Sequence, residues 1–146
     1  MKKMSFSARF EGRAGAIVTD CSISTAYLQH PVNAHPPVID VKCVWDTGTV
    51  MTTISNETVR KLKLKPVART ESYHAFGKSS TEIYYINLIL PSHTEIAGLR
   101  VIGAELPDTD VLIGMDVIGL CDMAISHVDN ETLFSYRIPS CGEIII

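Results

Sequence analysis

The chain has 146 residues, 46% of them hydrophobic and 20% charged, with a formal net charge of −3. That is enough chain for one domain with its own core, so folding needs neither a metal nor a disulfide. A slightly acidic chain suits phosphate neutralisation poorly, which argues against nucleic-acid binding, and no apolar run approaches the ~18 residues of a membrane span.

Residues 1–15 are polar and are interrupted by Gly12 and Gly15. Lys2 and Lys3 have the charge of a signal-peptide start, but Arg9, Glu11 and Arg13 break any apolar segment behind them. Cys21, Cys43, Cys121 and Cys141 are widely spaced and never form C-x-x-C. Free thiols and a cytoplasmic location are the expectation. Ala16–Val18 and Ser22–Leu28 read as short strands. His30–Pro37 carries three prolines and reads as a loop. Val38–Trp45 alternates as a strand with one drier face.

Ser55 or Asn56 can cap a helix in which Val59 and Leu62 share a face, and Pro66 stops it. Residues 71–90 read as two strands around a turn at Phe76–Ser80. Pro91–Thr94 is a loop, and Leu99–Ile102 and Val111–Ile113 are short strands. Gly114–Leu120 suits one or two helical turns. Met123–His127 and Thr132–Tyr136 flank Asp129-Asn130, a hairpin turn. The expected fold is therefore all-β, mainly antiparallel, with one or two short helices.

The stretch that carries chemistry is Val44-Trp45-Asp46-Thr47-Gly48-Thr49. An apolar strand delivers a carboxylate to a mostly dry corner. Thr47 offers a hydroxyl for nearby backbone. Gly48 permits a sharp turn with its N–H close to the carboxylate, and Thr49 can donate to the same group and favour its ionised form. Alone, Asp-Thr-Gly is a weak signal, and an ordinary strand-to-turn corner would explain it. Here it is followed by Thr53-Ile54-Ser55, then a short helix, then Val111-Leu112-Ile113-Gly114, and finally Phe134–Ser140.

In that order and spacing, residues 38–140 resemble the retropepsin-like aspartic proteases, in particular their short bacterial and retroelement-type members. The resemblance implies an acid-protease barrel with one lobe per chain, spanning 38–146, preceded by an N-terminal extension over 1–37 that is partly strand. It makes Asp46 the catalytic aspartate and Thr47 the residue whose hydroxyl bonds across to a partner subunit. Gly48 is the glycine packed beside the carboxylate. Leu112, Ile113 and Gly114 brace the active-site loop from beneath. The hairpin near 71–85 takes the place of the flap that closes over substrate, with Gly77 at its tip. Phe76, Val50 and Ile113 are the expected apolar cleft lining.

Two positions depart from the viral members. Val50 and Met51 stand where an acidic residue is common, and Met115-Asp116 replaces Arg-Asn. The viral style of intersubunit ion pairing is not expected here. Asp116 is read as a helix cap or an Arg partner, without a catalytic role.

Aspartic proteolysis needs two carboxyl groups that share one proton, with a water between them. The chain has one Asp-Thr-Gly, and Asp108-Thr109-Asp110 lacks the glycine. The second carboxylate is therefore expected from Asp46 of another copy in a two-fold homodimer acting on a polypeptide, with no cofactor and no metal. The competing expectation is a catalytically silent dimeric module that keeps the fold to hold a peptide.

Simpler readings cover the remaining features. Gly77-Lys78-Ser79 only mimics the end of a P-loop. His30 and His35 match no zinc spacing. Cys43 and Trp45 read as core, Lys61, Lys63 and Lys65 as a solvated face, and at least two of the flap residues Tyr73, Tyr84 and Tyr85 as cross-strand packing, with one of the three available to contact substrate. Ile144–Ile146 belongs either to a strand of the chain's own sheet or to a dimer contact.

Overall fold

The computed structural model describes residues 4–29 and 35–146. Residues 30–34 of the expected Pro-rich loop, with His30, lie outside the described residues, as does the Tyr73 side chain. Ten strands and two helices follow in chain order: β1 (Met4–Glu11), β2 (Val18–Thr25), β3 (Val38–Trp45), β4 (Thr53–Ser55), α1 (Asn56–Leu62), β5 (Ala68–His74), β6 (Gly77–Ile89), β7 (Glu95–Ala104), β8 (Val111–Ile113), α2 (Met115–Ile118), β9 (Asp122–Val128) and β10 (Glu131–Ile138). The all-β expectation holds.

Strands pair in the order β2-β3-β8-β4-β7-β6-β5, and β6 also pairs with β2. That last pairing, Ser22↔Ile89 to Thr25↔Ile86, closes β2, β3, β8, β4, β7 and β6 into a barrel. Closure covers the edge of β2 from Ser22 to Thr25, which would otherwise be exposed. The barrel is filled by Ile23, Ile54, Ile83, Ile86, Leu88, Val101, Val111 and Ile113, all at or near zero exposure. Each such side chain gains roughly 1.5–3 kcal/mol from burial.

A separate three-stranded sheet, β1-β10-β9, packs against this barrel. Its inner face carries Phe134 and Tyr136, whose rings lie 5.1 and 4.9 Å from that of Trp45. Trp45 also donates its indole N–H to Thr19 Oγ1 at 2.9 Å. The three-stranded sheet is thereby fastened to the end of β3, one residue before Asp46.

Several elements differ from the sequence expectation. Residues 4–11 form a strand because Phe6, Ala8 and Phe10 alternate with Ser5, Ser7 and Arg9, and the inward set is half-buried. β1 and β2 supply strand within residues 1–37, the stretch expected as a partly stranded extension, and β2 is a barrel strand. β2 is also one continuous strand, and Tyr27–Gln29 turns into a 3-10 helix. β4, three residues long, precedes the helix start. The cap is as read: Ser55 Oγ accepts from the Thr58 N–H at 3.1 Å. The flap-like hairpin turns at Ala75 and Phe76, with His74 opposite Gly77. Gly77 closes that turn at φ +127° and is not its tip. Asp129 and Asn130, at φ 53° and 58°, form the expected hairpin turn between β9 and β10.

Candidate functional site

β8 lies between β3 and β4. It runs parallel to β3, with Trp45 opposite Ile113, and antiparallel to β4, with Thr53 opposite Leu112. Residues 46–52 leave β3, cross over the end of β8 and return as β4. The loop is consequently anchored at both ends on one short strand whose Val111 and Ile113 are fully buried.

Its first tie is from the Asp46 N–H to the Ile113 carbonyl, 2.9 Å. Further along, the Met115 N–H donates to Thr49 O at 2.7 Å and the Asp116 N–H to Val50 O at 3.1 Å. The first turn of α2 thus holds the loop from below with its unsatisfied N–H groups. Gly114 sits between them. A Cβ there would stand 2.8 Å from Thr49 O and 3.0 Å from both Met51 C and Thr52 N, all backbone atoms, so only glycine lets β8 and the loop approach this closely. Leu112 and Ile113 lie in β8, and Gly114 follows them directly at the start of α2.

The carboxylate is fixed by its own loop. Gly48 N–H donates to Asp46 Oδ1 at 2.8 Å and Thr49 Oγ1 to Asp46 Oδ2 at 2.7 Å. Both bonds favour the charged form. The Thr49 hydroxyl first, then the Gly48 N–H, hold the Asp46 carboxyl below its ordinary value, against a small opposing effect of burial. A Cβ on Gly48 would come within 3.1 Å of Oδ1 and crowd the same oxygen.

Other expected site residues sort differently. Thr47 is exposed at the bend, and among the described residues its hydroxyl has no partner in the protomer, so the expected bond to nearby backbone is not formed. Val50 is 81% exposed beside the carboxylate corner. Ile113 has no exposed surface and therefore cannot line a cleft; it is core. Phe76 is 97% exposed at the hairpin turn, next to Gly77. The backbone hydrogen bonds of the Asp46 loop run to β8, to α2 and, through the Ile102 N–H donating to Thr52 O at 3.1 Å, to β7.

Asp116 does more than the sequence implied. Its carboxylate accepts from Thr52 N–H at 3.0 Å and from Thr52 Oγ1 at 2.7 Å, while the Gly114 N–H donates to Thr52 Oγ1 at 3.1 Å. Asp116, Thr52 and Gly114 lock the far end of the loop onto α2. Thr52 does not stand out in the sequence; its one hint is a polar pair, Thr52-Thr53, at the entry to the short, buried strand β4. Asp110 is likewise structural, accepting from the Lys42 N–H at 2.8 Å.

No protein-family model matches the chain, and no curated protein matches it. Among solved structures it is similar to a retropepsin-like aspartic protease from Rickettsia conorii, at 13% sequence identity and a TM-score of 0.54, over 94% of this chain and 97% of that one. It also aligns with the EIAV protease in complex with an inhibitor, at 18% identity and a TM-score of 0.47, over 71% of this chain and 86% of that one. The first of these shows the fold: the chain is built as a retropepsin-like barrel.

Proposed function

We propose that the protein is an aspartic endopeptidase whose active site forms between two copies of the chain, with Asp46 of each facing the other across a two-fold axis. The observation that carries this reading is the Asp46 corner. A carboxylate is held by a backbone N–H and a threonine hydroxyl, on a loop braced by a buried strand, in a retropepsin-like barrel. One protomer supplies one such carboxylate, and general acid–base hydrolysis of a peptide bond needs two. One Asp46, ionised, removes a proton from a water held between the pair. The other, protonated, donates to the carbonyl oxygen of the scissile bond as water adds.

In this reading Thr47, with its free hydroxyl, bonds to the opposite loop. Thr49, Gly48, Leu112, Ile113 and Gly114 support the carboxylate. The β5–β6 hairpin, with Phe76 and Gly77 at its end, covers an extended polypeptide, and Val50 contacts it. Ile144–Ile146, exposed and in no strand of the protomer, suits a contact between subunits. Among the described residues no helix is long and apolar enough to cross a membrane, and we place the enzyme in the cytoplasm.

Digestion of a diverse peptide mixture between about pH 4 and 7 tests the chemistry. Wild-type protein is expected to cleave, and Asp46→Asn to fold normally and lose at least about a thousandfold in rate, since neither member of the pair then ionises. Cleavage that survives the substitution refutes the mechanism. A well-folded wild-type dimer that cleaves nothing supports the silent binding module instead.

A further inference from the structure

β6 pairs with the second half of β2 and then leaves it. The last pair is Ser22↔Ile89, after which Leu90 and Pro91 turn away, with the His93 N–H closing onto Leu90 O at 2.8 Å. β3 covers the opposite edge of β2 along its whole length, from Val18↔Val44 to Ser24↔Val38. Among the described residues no strand takes the vacated edge of Val18–Cys21. An unpaired strand edge is a template for another strand.

That edge opens into a groove of about 500 Å³. Val18, Thr19, Asp20, Cys21 and Ser22 all line it in unbroken succession, as a groove running along backbone requires. Its far wall is the half-buried apolar face of β1, formed by Phe6, Ala8 and Phe10, and Leu90 closes one end. Its rim carries two acidic residues, Asp20 and Asp40, together with Lys42 and His93. Lys42 is ion-paired with Asp20 and also faces Asp110, while Asp40 accepts only the Ser22 hydroxyl at 2.9 Å, and among the described residues no cation pairs with it.

We propose that this groove is a peptide-docking site, separate from the Asp46 corner. A short extended segment of a partner polypeptide adds antiparallel to Val18–Cys21 in the lane that β6 vacates. Main-chain hydrogen bonds to the bare edge supply the pairing. Side chains of the added strand alternate. One set lies on Phe6, Ala8 and Phe10 and takes aliphatic residues. The other lies beside Asp20 and Asp40 and takes lysine or arginine. The segment recognised is thus one in which apolar and basic residues alternate. The inference does not depend on proteolysis.

The test uses two acetylated hexapeptides, one alternating valine and lysine, the other valine and glutamate, with Asp46→Asn protein so that no peptide is consumed. Hydrogen–deuterium exchange reports the edge, and fluorescence anisotropy reports affinity. The valine–lysine peptide is expected to slow exchange within residues 18–21 and to bind about fivefold more tightly than its acidic counterpart at low salt. Asp20→Lys, at an exposed position, is expected to invert that order, and Ala8→Trp, which fills the groove, to abolish both interactions. No slowing at 18–21 with either peptide, or slowing confined to the outer edge of β9, overturns the proposal. So does protection of 18–21 that rises with protein concentration alone, which would assign the lane to a second copy. An unchanged charge preference in Asp20→Lys refutes the basic specificity.

Discussion

At Asp46 the chemistry is set within three residues. The Gly48 N–H and the Thr49 hydroxyl reach the carboxylate because the chain turns immediately after it, and both lower its pKa in the protomer. Thr49→Val removes the larger of the two effects, so the Asp46 pKa rises toward its ordinary value. In the proposed pair, activity is lost at low pH when both carboxyls are protonated. The acidic limb of the pH–rate profile is therefore expected to move to higher pH in Thr49→Val, with the fold retained. A limb that stays in place would separate Thr49 from the reacting group. Gly114 carries a different demand. A methyl there meets backbone on three sides, at 2.8 to 3.0 Å, and backbone yields little. Gly114→Ala is expected to lower unfolding free energy by about 2 kcal/mol or more in urea titration.

Local contacts of this kind were legible in the sequence because donor and acceptor are neighbours in the chain. The Thr52–Asp116 lock was not, since its partners are separated by 64 positions and Asp116 looks equally like an ordinary cap at the start of α2. Ile113 shows the complementary limit. Whether an apolar residue of so short a strand faces a cleft or the core depends on which side of the barrel wall it points to: Ile113 is fully buried, whereas its neighbour Leu112 is only half-buried.

The elements follow the same rule of range. The hairpin turn at Asp129-Asn130 and the Ser55 cap were readable because few residues decide them. β1 was overlooked although its apolar–polar alternation is regular; Gly12 and Gly15 lie beyond its end and do not interrupt it. The C-terminal segment after β10 is held by the Ser140 N–H donating to Leu120 O at 2.8 Å and by one side chain at the start of β9. Asp122 accepts from the Ser140 hydroxyl, from the Cys141 N–H at 2.9 Å and from Arg137 Nε at 2.6 Å, and these donors, Ser140 foremost, hold its pKa well below the usual carboxylate range. A depressed folded pKa gives stability that is present above the ordinary value near 4 and is lost as pH falls through the folded one. Asp122→Asn is therefore expected to melt earlier than wild type at pH 7, and the gap to narrow steadily toward pH 2. Exchange at the Cys141 amide is expected to rise in the variant at neutral pH. A melting difference that is independent of pH would show that shape, not charge, is what Asp122 contributes.

For the whole molecule, the decisive quantity is how many Asp46 carboxylates one chain can bring to one site. The barrel closes through β2 and β6, and β3, β8 and β4 are committed to a single loop crossing. Once the fold is laid out, no second Asp-Thr-Gly corner exists in the chain, and Asp110 is occupied in holding β3. If activity needs two copies, it depends on subunit composition in a way that a one-chain site cannot imitate. Mixing wild type with an equal amount of Asp46→Asn under conditions that allow subunit exchange leaves only about one quarter of dimers with both carboxylates. Each wild-type chain then has an even chance of an inactive partner, so specific activity per wild-type chain is expected to fall by about half. With a large excess of the variant it approaches zero. A self-sufficient protomer would instead keep its full activity at every ratio. Sedimentation of the same mixtures provides the control, because the variant must still dimerise for dilution of the active pairs to occur. Constant activity per wild-type chain, in samples shown to exchange subunits, would refute the shared site and leave Asp46 to act within one chain.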